Sequence, residues 1–168
     1  MLTIAVVSAA AQNNKINLIP QPVSMQPGSG SFVITKSAKV TYNKPEGRNV
    51  AEMLVQKLNM ATAFALKTSQ GTKGTIQLIL NTNPDQQLGN EGYTLHATSK
   101  NITISANQPA GLFYGMQTLL QLLPKEIESK QPVQAKWTIP VVQITDYPRF
   151  GWRGLMFDVS RHFFTKED

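Results

Sequence analysis

The sequence predicts an α+β fold, a mostly antiparallel sheet with two helices packed on one face, and three observations lead there. Short β-branched and aromatic runs outnumber helical stripes, only two stretches carry a helical period, and the elements follow the order ββαβββαβ rather than strict alternation. The chain has 168 residues, 41% of them hydrophobic and 15% charged, enough for one domain with a real core.

Residues 1–12 form an apolar run ending in small residues, with Ala9 and Ala11 spaced as signal peptidase requires. Residues 1–11 are therefore expected to be the remnant of a secretory signal, although a positive leading region is absent. About ten apolar residues cannot cross a bilayer that needs about twenty, so no membrane span is expected. A buried N-terminal strand is the competing reading, disfavoured by the alanine-rich end.

Pro20 and Pro22, one residue apart, call for an extended segment. Gly28 and Gly30 then suggest a turn, and 31–34 and 39–42 read as a hairpin joined through Thr35, Lys36 and Ser37. From Arg48 the period changes. Val50, Met53, Leu54, Leu58, Ala61 and Ala65 recur at helical steps, which places a helix over 47–66. Residues 75–81 are a short apolar run between Gly74 and Pro84, hence a strand. The stretches 93–97 and 101–106 alternate around Thr98, Ser99 and Lys100, a second hairpin in which His96 faces solvent. Asn107 is placed to cap a helix with Pro109 in its first turn, and Leu112, Met116, Leu119 and Leu123 carry that helix to Pro124. Residues 126–136 read as a polar surface loop, 137–144 as a strand interrupted by Pro140, and 154–159 as a strand covered on both faces, as in a parallel barrel.

Composition removes several function classes. Lys and Arg number 16 against 10 Asp and Glu, but the surplus is scattered and lacks the clustered basic footprint of a nucleic-acid site. With no cysteine and two histidines, disulfides, thiolate zinc sites and cysteine nucleophiles are excluded, and neither a metal nor a cofactor is expected.

Two stretches resemble the β-N-acetylhexosaminidases of glycoside hydrolase family 20. The run from Ala110 through Gly111, Leu112, Phe113, Tyr114, Gly115 and Met116 to Leu122 is similar to the second helix of that family's non-catalytic α+β domain. The longer run Asp146, Tyr147, Pro148, Arg149, Phe150, Gly151, Trp152, Arg153, Gly154 and on through Asp158, Arg161 and His162 to Phe164 resembles the start of the family's (β/α)8 barrel. After the signal remnant read at 1–11 from its apolar run, the resemblance implies an α+β domain over 12–147 and the first strand of a truncated barrel over 148–168.

It also implies a role for Arg153, holding hydroxyls of the terminal sugar, a task suited to five donors in a fixed fork. On spacing alone, an arginine paired with a nearby carboxylate or stacked on Trp152 is the simpler reading. In such barrels function collects at the C-terminal ends of strands, which points instead to Asp158. Residues five apart on a regular strand face opposite sides, so Arg153 and Asp158 cannot both point inward without a bulge or an early strand end. Asp158, Arg161 and His162 are read as support for the first barrel loop, through an Asp158–Arg161 ion pair or a helix cap.

The activity implied is removal of terminal β-linked N-acetylglucosamine or N-acetylgalactosamine with retention, the substrate's own acetamide acting as nucleophile. An orienting Asp and a general-acid Glu of raised pKa would come from a later strand. After the motif the sequence holds only Thr165, Lys166, Glu167 and Asp168, and a barrel takes about 250 residues, so no catalytic residue is assigned and the chain alone is expected to be inactive. The partners implied are an N-acetylhexosamine-terminated glycan and the protein's own barrel, and the location is secreted or periplasmic. Glycosidases that act on glucuronides or on sugar-modified proteins are one rival, disfavoured by the stretch around Arg153. A non-catalytic secreted module that binds carbohydrate or a partner protein through its sheet is the other.

Overall fold

The structure, a computed structural model, describes residues 16–156, 158, 160 and 163–165. The expected signal remnant at 1–11 lies outside them. Seven strands form one sheet in the order β1-β7-β5-β6-β4-β2-β3: β1 (Ser24–Val33), β2 (Val40–Tyr42), β3 (Thr68–Gln70), β4 (Ile76–Leu80), β5 (Tyr93–Ala97), β6 (Ile102–Ala106) and β7 (Thr138–Asp146). The helices are α1 (Arg48–Thr62) and α2 (Pro109–Leu122). Their apolar faces share a single core with one face of the sheet, so the α+β class holds.

The sheet is mixed. The pairs β1/β7, β7/β5 and β5/β6 are antiparallel, whereas β6/β4, β4/β2 and β2/β3 are parallel. The hairpin expected over 31–42 does not form. Its turn exists, with Ala38 N–H donating to Thr35 O at 2.9 Å, but β1 pairs with β7 at one edge while β2 lies near the other. Each strand finds its apolar surface far away in sequence: Phe32 opposite Ile139, and Val40 opposite Ile76. Gly28 and Gly30 make no turn either. They lie inside β1, where the register slips between Pro27 and Ser31, and Gly30 takes φ +93° at that irregularity.

The α1 helix stops at Thr62, four residues before its expected end. Ala63 takes a left-handed φ of 55°, and the Asn59 side chain clamps the returning backbone, accepting from Leu66 N–H at 2.7 Å and donating to Leu66 O at 3.0 Å. That fold-back buries Leu66 and leads into β3, whose polar Thr-Ser-Gln sequence carries no strand periodicity. In α2, Gln108 rather than Asn107 is the cap residue, while Pro109 does start the helix. Glycines let α2 approach the sheet, since a Cβ on Gly115 would lie 2.5 Å from Ile104 Cγ2. The expected loop at 126–136 contains a buried anchor, Ile127, on a short 3-10 turn (Lys125–Glu128).

One layer of the core is Ile76, Leu78, Leu95, Ile102 and Ile104, each fully buried against Leu54, Leu58, Leu112 and Leu119 of the helices. Strand residues in between face away from the helices, and His96 is exposed as expected. Among the described residues beyond Asp146 no helix or strand forms. The strand expected over 154–159 is absent among the described residues, and Phe157 and Val159 lie outside them. The reason is physical: a strand of barrel type must exchange backbone hydrogen bonds with neighbours on both sides, and the described residues offer it none.

Candidate functional site

The last strand delivers the chain to the site through a fixed exit. Asp146 ends β7 opposite Tyr93, and its Oδ1 accepts from Val23 N–H at 3.1 Å. Tyr93 is buried, its hydroxyl 2.5 Å from Thr118 Oγ1 on α2. Burial pushes that phenol up to about 12, the Thr118 hydrogen bond opposes the rise, and the Asp146 carboxylate adds to it.

The loop before β5 is tied to the same corner by Asn107, whose amide is fully used. Its oxygen accepts from Asn81 Nδ2 and Asp85 N–H, each at 2.9 Å, and its nitrogen donates to the carbonyls of Asp85 and Gly89, each at 2.7 Å. This explains why Asn107 does not cap α2. Gly92 then closes the loop in a space with no room for a side chain, since its Cβ would meet Tyr147 Cβ at 2.8 Å. One residue earlier stands Glu91.

Arg153 reaches Glu91 with both carboxylate oxygens accepting from Nη2 at 3.0 Å, while Nη1 donates to Phe150 O at 2.9 Å. The Tyr114 hydroxyl lies 3.5 Å from Glu91 Oε1, at the limit of hydrogen bonding. The hydrogen bond and charge of Glu91 raise the guanidinium pKa further above its usual range. The side chains of Arg153 and Glu91 remain 43% and 35% exposed, so water screens the pair. Arg153 is thus a fully charged donor set at the surface, and its carboxylate partner, Glu91, lies 62 residues away in sequence.

Asp158 makes a local turn, accepting from Ser160 N–H at 2.8 Å, and the Ser160 hydroxyl and N–H hold its carboxyl below the ordinary range. Arg161 and His162, and with them the expected Asp158–Arg161 pair, lie outside the described residues. Nothing in the sequence singled out Glu91, which sits in a polar loop without periodicity. Asp146 did stand in the quoted motif, but its link to Tyr93 needs the sheet register to be seen. Around the site Trp152, Leu155, Met156 and Phe163 are 84%, 87%, 90% and 77% exposed. Between the two helices, on the side away from the sheet, lies an open groove of about 330 Å³ lined by Met53, Met60, Met116 and Leu120 and crossed by the Lys57–Glu128 ion pair at 2.6 Å. Among the described residues no group of His, Asp and Glu is arranged to hold a metal, and no helix is long and apolar enough to cross a membrane.

Residues 15–147 match the family model described as glycosyl hydrolase family 20, domain 2. A β-hexosaminidase of Porphyromonas gingivalis is 36% identical over 154 residues, covering 91% of this chain and 20% of its own. A β-N-acetylhexosaminidase of Cellulomonas fimi is 30% identical, covering 91% of this chain and 30% of its own. Among solved structures, the Streptomyces plicatus N-acetyl-β-hexosaminidase in complex with thio-NAglucal superimposes with a TM-score of 0.77 at 38% identity, over 85% of this chain and 28% of that one. The chain therefore spans less than a third of the length of these relatives, and a match over that domain together with identity extending past it shows that the chain belongs to glycoside hydrolase family 20, of which it carries domain 2.

Proposed function

We infer that the chain is the leading part of an exo-acting, retaining β-N-acetylhexosaminidase, with domain 2 over 12–147 and the first strand of the catalytic barrel in 148–168. The observation that carries this reading is the motif around Arg153, which continues beyond the domain-2 match into the kind of sequence that starts the family's barrel. In the longer protein Arg153 exchanges Glu91 for two adjacent hydroxyls of the terminal N-acetylhexosamine, because a guanidinium fork matches a vicinal diol as it matches a carboxylate. Asp158, Arg161 and His162 support that strand's loop.

Hydrolysis then follows the substrate-assisted route, the exception to the two-carboxylate scheme. The acetamide oxygen attacks the anomeric carbon, an Asp orients the acetamide, and a Glu protonates the leaving oxygen. Both carboxylates belong to a later barrel strand. The exposed apolar residues of 150–165 and the methionine-rich groove between the helices are surfaces that the barrel would cover, since isolated apolar patches of this kind mark unsatisfied contacts. Export to the periplasm or beyond fits the apolar run at 1–11.

The test is turnover of a chromogenic N-acetyl-β-glucosaminide by the longer protein and by these 168 residues. Hydrolysis by the former and none above buffer by the latter is expected. Clear turnover by the 168 residues would falsify the division of labour proposed here.

A further inference from the structure

The face of the sheet turned away from the helices has no assigned use. Register places Gln26 beside Gln143, Gln143 beside His96, His96 beside Thr103, and Thr103 beside Gln77, one row across five strands. Thr145, Thr94 and Ser105 form a second, parallel row. With strands about 4.8 Å apart the longer row spans roughly 19 Å. No Asp, Glu, Lys or Arg stands in either row, although the chain carries 26 charged residues (16 basic plus 10 acidic) and a solvated surface is ordinarily about a quarter to a third charged.

These side chains are also unspent. Gln77 donates to Gly74 O at 2.8 Å, but within the described residues Gln26, Gln143, His96 and Thr103 have no side-chain hydrogen bond. Gln26, Gln143 and His96 are exposed, and Thr103 and Gln77 half-buried. The result is a face of neutral donors and acceptors at regular spacing, with the half-buried Ile79 beside Ser105 at the end of the second row. Protein partners select aromatic, methionine and arginine anchors, none of which is present in these rows. A neutral glycan presents what the rows can use: hydroxyls and acetamides that donate and accept, with no charge to strip of water on either side.

We propose that this outer face is an accessory binding surface for an extended, uncharged β-linked N-acetylhexosamine polymer lying across the strands. The choice of sugar rests on the glycosidase reading; the surface does not, because it lies on domain 2 and uses no residue of the 150–165 segment. Without an aromatic platform each sugar is held weakly, so retention on a polymer comes from several contacts at once. Such a surface would keep a hydrolase near an insoluble substrate between cleavage events.

The experiment is co-sedimentation of the 168-residue chain with insoluble chitin. Wild type should be retained equally at low and high salt, since adsorption driven by the net positive charge would wash out. Thr103→Lys combined with Gln143→Lys should lower retention at least tenfold with the unfolding temperature held, His96→Ala should lower it a few-fold, and Arg153→Ala should leave it unchanged. No retention of wild type, retention lost to salt, or variants retained like wild type would overturn the proposal. So would a concentration-dependent dimer abolished by the lysine pair, which would assign the face to a second copy. Turnover by the longer protein reads the glycosidase assignment separately, so either can fail alone.

Discussion

The described residues of 16–147 and of 148–165 both include large apolar side chains, and these meet opposite fates. In the first region Leu95, Ile104 and Ile144 have no exposed surface; in the second Leu155 and Met156 are almost entirely open. Residue type alone does not decide this, since Leu155 and Met156 are open whereas Leu95 and Met116 are buried. The difference lies in partners: each core strand residue sits between register neighbours and beneath a helix, whereas the described residues after Asp146 pair with no strand. An apolar run therefore encodes a demand for cover, and only topology decides whether the same chain meets it.

The largest break in that comparison is a truncation on each side. Ile104→Ala removes a fully buried side chain wedged against α2 and should cost about 2–5 kcal/mol, whereas Leu155→Ala should shift stability by less than about 0.5 kcal/mol. Urea denaturation of the two variants measures both. Equal losses would mean that the last segment packs as tightly as the core.

A smaller effect sharpens the account of the junction between the two regions. Tyr93 has its folded pKa raised from 10.0 to about 12 by burial, so the folded state prefers the neutral phenol. The stability this provides is complete below pH 10 and is lost as pH rises from about 10 to about 12, by roughly 2–3 kcal/mol at most. Tyr93→Phe should remove that alkaline component while leaving Thr118 without its partner, for a cost at neutral pH of about 1–3 kcal/mol. Parallel alkaline unfolding curves for wild type and variant would show that the hydroxyl is not the titrating group.

Local periodicity was enough for α2, for β4 and for the β5/β6 hairpin, because each is decided by residues near one another in sequence. The pairing of β1 with β7 was not legible, since its partners lie more than a hundred residues apart and the nearby turn at 35–38 pointed to a hairpin. Nor was the end of α1, where a single Asn59 clamp overrides a stripe that continues to Ala65. For the site, the sequence pointed to Arg153 through a motif but concealed Glu91, whose loop is positioned by Asn107 from another element. Side-chain clamps and long-range pairing are decided by three-dimensional neighbours, which a periodic pattern does not record.

The proposed function turns on the Arg153 guanidinium exchanging a carboxylate for sugar hydroxyls in the longer protein. Steady-state kinetics of the longer protein on a chromogenic N-acetyl-β-glucosaminide, with Arg153→Ala compared against wild type at matched thermal stability, tests it most directly. A fall in kcat/KM of roughly tenfold to a hundredfold is predicted from the loss of charge-assisted hydrogen bonds to substrate. Unchanged kcat/KM would contradict it and leave Arg153 as no more than the partner of Glu91.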